Sequence, residues 1–274
     1  MPILPILSRA ALCLMIVFAL RGVVHAEEST LRRFDTSDES RGWNAVGRLN
    51  MGKRSFCTGA LIAPNLVLTA AHCLFDAKSG ARINPADIEF LAGWRNGRAA
   101  AYRGIKHAIA HPEYVFSGAD KLTRVSYDLA LLELDQPIRM TSIRPFETDP
   151  MPLKGDEVGV VSYAKDRSEA PSLQEVCHVL NQESQLLVLS CNVDFGASGA
   201  PIFSVRDGVA RVVSVVSSKA DYGGASVALG TTLQGPLQTL RASLEAENSP
   251  FQKADPALRA MELGAGNSAK FIKP

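Results

Sequence analysis

Three short segments of this 274-residue chain carry the residue types of nucleophilic catalysis. Ser198 lies in Gly196-Ala197-Ser198-Gly199-Ala200-Pro201, His72 in Leu68-Thr-Ala-Ala-His72-Cys73, and Asp128 in Tyr127-Asp128-Leu-Ala-Leu131. A serine hydroxyl is a weak nucleophile until a base takes its proton, and that base must be oriented by a third group. The segments supply one candidate for each role, in the chain order His, Asp, Ser. Asp128 precedes the apolar run Leu129–Leu132, where a carboxylate is costly to bury without a partner; His72 is the expected partner. Gly196 and Gly199 let the backbone around Ser198 turn tightly and approach a substrate closely.

The elements that must hold these residues read as strands. From Trp43 onward, short apolar runs alternate with turn residues: Asn44–Leu49 before a turn at Asn50-Met51-Gly52, then Gly59–Ile62, Leu66–Thr69, Ile88–Leu91 and Leu129–Leu134. Residues 137–155, rich in proline and polar groups, read as a connector. Strand-like runs resume at Glu157–Tyr163, Val176–Leu180, Leu186–Ser190, Ala200–Ser204, Val209–Val216 and Ala225–Leu229. Many short strands without intervening helical patterns point to a sandwich or barrels. Leu237, Leu240 and Leu244 recur with helical spacing after Pro236, which predicts one closing helix. Two all-β halves place a site in the crevice between them, with His72 and Asp128 from the first half and Ser198 from the second.

Residues 1–26 read as a secretory signal: Arg9 precedes the apolar stretch Ala10–Leu20, and Val24-His25-Ala26 fits a small-residue cleavage site. Residues 27–42 are polar and expected to be loosely ordered, 43–247 form the domain, and 248–274 are an irregular tail. Loss of the signal removes Arg9 and Arg21, leaving 27 basic against 28 acidic residues. That balance argues against nucleic acid or an anionic membrane as the main partner. Of five cysteines, Cys13 leaves with the signal. Cys57 and Cys73 flank one pair of apolar runs, Cys177 and Cys191 another with polar 181–185 as the turn, so hairpin folding pairs Cys57 with Cys73 and Cys177 with Cys191. Such bridges need an oxidising compartment, so the expected location is secreted or periplasmic. No C-x-x-C pair is present to suggest a zinc site. His107 and His111 stand four apart, but Ala108 replaces the glutamate of H-E-x-x-H and Pro112 opposes a helix.

The order His, Asp, Ser, together with Thr-Ala-Ala-His-Cys and Gly-x-Ser-Gly-x-Pro, resembles the chymotrypsin-fold, trypsin-like serine proteases; subtilisins and α/β-hydrolases run their triads in other orders. The likeness covers about 43–247. It implies an all-β fold of two six-stranded antiparallel barrels, a triad of His72, Asp128 and Ser198, and an oxyanion hole made by the amides of Gly196 and Ser198. It implies a peptide-bond hydrolase acting through an acyl-enzyme on protein or peptide substrates, as a monomer without metal or cofactor. The segment His111-Pro-Glu-Tyr114 resembles a common surface loop of the family. The competing reading is an inactive homologue serving as a binding module.

Three departures from the pancreatic relatives bring the chain nearer to glutamyl-endopeptidase-like bacterial branches. Ala197 stands where the family usually has an Asp that pairs with a newly released N-terminal ammonium, so that switch is missing. No cysteine follows Cys191 to close the specificity pocket. The pocket itself is reworked: by spacing from Ser198, Val193 and Asp194 lie at its wall, and Val216 and Ser217 on the strand that pairs with substrate. Val216 takes the place of the histidine found in glutamyl endopeptidases and has no donor for a carboxylate. The expected preference is for small or medium uncharged residues; Asp194 is read first as a structural hydrogen-bonding group, with attraction of Lys and Arg as the alternative.

Overall fold

The structure is a computed structural model, and it describes residues 29–52, 55–149 and 152–249. The segments read as a signal and as most of the irregular tail lie outside the described residues. Two closed antiparallel barrels account for most of the chain. The first is formed by β2 (Val46–Met51), β3 (Ser55–Ala63), β4 (Leu66–Thr69), β5 (Ile88–Ala92), β6 (Ala101–Ala110) and β7 (Ala130–Leu134), in the order β2-β3-β4-β7-β6-β5. The second takes β8 (Glu157–Ser162), β9 (Ser172–Glu183), β10 (Leu186–Leu189), β11 (Pro201–Arg206), β12 (Val209–Tyr222) and β13 (Ala225–Thr232). Its order is β9-β10-β13-β12-β11-β8, and pairing of β8 with β9 closes the ring. Closure leaves no long edge exposed and fills each interior with inward side chains.

Most boundaries follow the apolar runs, and the differences have local causes. β2 continues through Asn50 and Met51, and the chain turns only at Gly52, whose φ is +61°. β9 runs past its apolar centre to Glu183, where the long β9–β10 hairpin gives its polar residues a ladder partner; the turn falls at Ser184 and Gln185. β12 extends to Tyr222 for the same reason, paired with β13 from Ser214 to Tyr222. β6 has no clean apolar alternation, because Arg103, Lys106 and His107 interrupt it. A short helix, α1 (Lys121–Ser126), precedes Asp128 and is capped by the Asp120 carboxylate on the Leu122 and Thr123 amides. The closing helix is present as α2 (Pro236–Asn248), with Leu237, Leu240 and Leu244 buried. It packs back on β6 and β7 of the first barrel, where Asn248 bonds Glu133 and Lys106.

Residues 29–42 are not loose. β1 (Arg32–Arg33) adds to β9 as a seventh strand of that sheet. The Ser29 amide donates to Val176 O at 3.1 Å, and Phe34 is fully buried in the core. Arg95 donates to Thr36 O and Ser40 Oγ. One buried aromatic among charges is enough to tie the segment down, since full burial of a Phe side chain contributes about 1.5–3 kcal/mol.

The bridges Cys57–Cys73 and Cys177–Cys191 are both formed. The first joins β3 to the turn that follows β4, beside His72.

Candidate active site

His72 lies in a single 3-10 turn, Ala71–Leu74, immediately after β4. Asp128 follows α1 and precedes β7, and is 3% exposed. The two meet twice. The His72 amide donates to Asp128 Oδ1 at 2.8 Å, and His72 Nδ1 lies 2.7 Å from Oδ2. With Nδ1–H committed to the carboxylate, Nε2 is left as the acceptor. Ser217 Oγ, from β12 of the other barrel, donates to the same Oδ2 at 2.5 Å. The buried carboxylate thus accepts three hydrogen bonds, two from His72 and one from Ser217.

Burial pulls the His72 pKa down, but the charge of Asp128 and its hydrogen bond outweigh that effect; Arg124 opposes them weakly. The net direction is upward. The imidazole keeps 28% of its side-chain surface, so its desolvation is partial, which agrees with the sign. Nearby, burial foremost and then Asp128 push the Tyr114 phenol far up, keeping it neutral at any working pH.

Ser198 shares one cleft of about 700 Å3 with His72 and Asp128. Among the described residues Ser198 Oγ makes no hydrogen bond, so the hydroxyl and imidazole are brought to one cavity without a direct bond. The loop before it is folded although Ala197 has no charge to offer; Ala197 is fully buried among apolar neighbours. The Lys165 amide donates to Phe195 O at 2.7 Å, and the Ala200 amide to Ala197 O at 2.9 Å. In a trans peptide the N–H points opposite the C=O, so these bonds fix the directions of the Gly196 and Ser198 amides. Among the described residues neither amide donates to another group. Gly196 has φ +97°, and an added Cβ would meet the Phe56 ring at 2.4 Å. Gly199 has φ +77°, and a Cβ there would meet Thr69 Oγ1 at 2.1 Å. No other residue fits either place without displacing its neighbours.

The four pocket residues expected from sequence all line the cleft, in different ways. Val193 and Val216 are buried and, with Leu229, form apolar wall. Ser217 faces Asp128, so its hydroxyl is committed away from substrate. Asp194 is exposed, and its Oδ1 accepts from the Phe195 amide at 2.8 Å; its charge also acts on the half-buried Arg167. It therefore caps the loop rather than flooring a pocket. The rim includes Tyr114, Phe116, Leu122 and Phe195, with Lys121, Arg124 and Lys219 among them. His111, expected in a surface loop, is buried and stacks on Tyr127 at 5.0 Å. Cys57, His72 and Cys73 cluster like metal ligands, but the two sulfurs are bonded to each other.

Sequence reasoning missed the Ser217 bond to the acid, and it missed Leu229, Arg124 and the aromatic rim. Ser217, Leu229 and Phe195 come from the second half, and Tyr114, Phe116, Leu122 and Arg124 from the loop and helix before Asp128, a convergence that spacing from Ser198 does not show.

The family model described as Trypsin matches residues 33–235. A glutamyl endopeptidase from Bacillus licheniformis is 28% identical over 182 residues, 65% of this chain and 55% of that protein. Serine protease 23 from Mus musculus is 29% identical over 163 residues, 54% of this chain and 42% of that protein. The chain thus spans about half the length of the curated relatives it matches. A solved Glu endopeptidase, in complex with MPD, superposes with a TM-score of 0.64 at 19% identity, over 81% of this chain and 99% of that one. At that identity the superposition shows the fold.

Proposed function

Because the chain belongs to the trypsin family, we propose that it is a serine endopeptidase whose nucleophile is Ser198, with His72 as base and Asp128 as its orienting group. The observation that carries this reading is the His72–Asp128 pair at 2.7 Å, facing a cleft that also holds Ser198. Ser198 Oγ attacks the peptide carbonyl carbon while Nε2 takes its proton. The oxyanion is received by the amides of Gly196 and Ser198, whose peptide planes are already set, so little reorganisation is needed as charge develops. The imidazolium returns the proton to the leaving amine, and water releases the acyl group by the same route. The two disulfides support an oxidising compartment, in line with the reading of residues 1–26 as a secretory signal. Among the described residues no helix is long and apolar enough to cross a membrane.

An organophosphonate probe tests the reading. Stoichiometric labelling at Ser198, blocked by prior loss of His72, is the expected result; an unlabelled, folded protein would leave the inactive binding module.

Specificity follows from the walls. Val193, Val216 and Leu229 offer no donor to a carboxylate, and burying an unpaired charge costs several kcal/mol. The preferred residue before the scissile bond is therefore small or medium and uncharged, despite the likeness to glutamyl endopeptidases. A peptide-library digest read by mass spectrometry checks this. Dominant cleavage after Lys or Arg, lost in Asp194→Asn, overturns it, as does cleavage after Glu that is lost in Lys219→Met.

A further inference from the structure

Ala197 removes the charged anchor that relatives use beside the nucleophile, yet the loop around Ser198 is ordered by bonds. Two of them come from a single residue of the opposite barrel. Thr58, on β3, is fully buried. Its Oγ1 donates to Gly196 O at 2.9 Å, and its amide donates to Ser198 O at 2.8 Å. The Gly196 carbonyl belongs to the peptide that lies between the two planes carrying the Gly196 and Ser198 amides. Thr58 thus grips the middle of the oxyanion loop, while Lys165 and Ala200 fix the planes on either side.

The hydroxyl has its own direction set. Thr58 Oγ1 accepts from the Tyr163 amide at 3.1 Å. A hydroxyl has one proton to give, and with Tyr163 N–H occupying an acceptor position that proton is directed to Gly196 O. Thr58 O accepts from Thr69 Oγ1 at 2.8 Å, which fixes the strand from its other side. The residue before Thr58 is Cys57, bridged to Cys73 next to His72. One stretch of β3 therefore supports the base through the disulfide and the oxyanion loop through a hydroxyl.

We infer that Thr58 is the positioning residue that holds the oxyanion loop in its working shape, in place of a charge-triggered switch. The inference rests on the reading of Ser198 as nucleophile and of the Gly196 and Ser198 amides as oxyanion donors. It makes the site ready on folding, with no cleavage event required to shape it. Thr58 touches no substrate; it acts through Gly196.

The test compares Thr58→Val, which keeps the shape and removes the hydroxyl, with Thr58→Ser, which keeps the hydroxyl. Steady-state hydrolysis of one peptide substrate is measured for each beside the unaltered protein, with thermal melts to establish folding. Thr58→Val is expected to lose about 10- to 100-fold in kcat with KM changed less than about threefold, a fraction of what loss of a whole oxyanion donor costs. Thr58→Ser is expected to stay within about threefold of the unaltered protein, the range left to a bond that is kept. If Thr58→Val lacks a folding transition, Thr58→Ala is read in its place. A folded Thr58→Val or Thr58→Ala with full kcat overturns the inference, as does Thr58→Ser impaired as deeply as Val. An unaltered protein that turns over no substrate and takes no phosphonate overturns the protease reading itself.

Discussion

Ser198→Ala and His72→Ala are each expected to lose about 10⁴-fold or more in kcat on a peptide substrate, and the double variant is expected to fall little further. The serine has no nucleophilic power without the base, and the base has no proton to take without the serine, so the second loss removes what the first has already disabled. Binding through the cleft walls and stabilisation by the two amides survive in all three proteins, which sets a common residual rate. Hydrolysis by the purified single and double variants checks this, and losses that add would show that the residues do not act as a unit.

Asp128→Asn is expected to cost about 10⁴-fold in kcat, although the side chain keeps its shape. An amide at that position presents an N–H to Nδ1, which favours the proton on Nε2 and leaves no lone pair facing the nucleophile. The pH profile separates this from simple disruption. Burial lowers the His72 pKa and Asp128 raises it more, so the net value lies above the ordinary 6.5. The working form is the neutral ring, so activity is lost as pH falls through that raised value. In Asp128→Asn the residual activity is expected to persist to lower pH, because the raising influence is gone. The sign for stability is opposite. A raised folded pKa means that the ring–acid attraction stabilises the fold fully below the unfolded value and is lost as pH rises through the folded one. A kcat profile whose low-pH limb stays in place in the variant would refute the role given to Asp128.

The strands were legible because they are short apolar runs bounded by turns, as in Leu66–Thr69 and Leu186–Leu189, whereas their closure into two barrels was implied by the family resemblance and not by periodicity. The three proposed catalytic residues were legible because each sits in a local pattern: a cysteine beside His72, an apolar run beside Asp128, glycines around Ser198. What stayed hidden depends on partners remote in the chain. Arg32 and Phe34 look like a charged, disordered lead until β9 is present to receive them. β6 shifts register against β7 between Ile105 and His107, so the alternation of its polar residues slips and periodicity fails. Ser217 reads as a pocket residue by its spacing from Ser198, and only the closeness of the two barrels turns its hydroxyl toward Asp128. Asp194 reads by the same spacing as a wall residue open to either a structural hydrogen bond or a charge for Lys and Arg, and its bond from Phe195 N gives it the structural role.

Asp128 belongs to the first barrel by sequence, but its solvation is supplied by both. His72 provides two donors from the first and Ser217 a third from the second; behind it, Thr231 on β13 bonds Val125 O, and its hydroxyl lies 3.4 Å from Asp128 O. Any hinge motion that parts the barrels here withdraws Ser217 and strips a buried carboxylate of a donor, a penalty of about 1.5–3 kcal/mol. The carboxylate is thus a latch between two rigid bodies. The cleft has a preferred width because an electrostatic cost rises on opening, and the group proposed to orient His72 is the same group that keeps His72 and Ser198 from drifting apart.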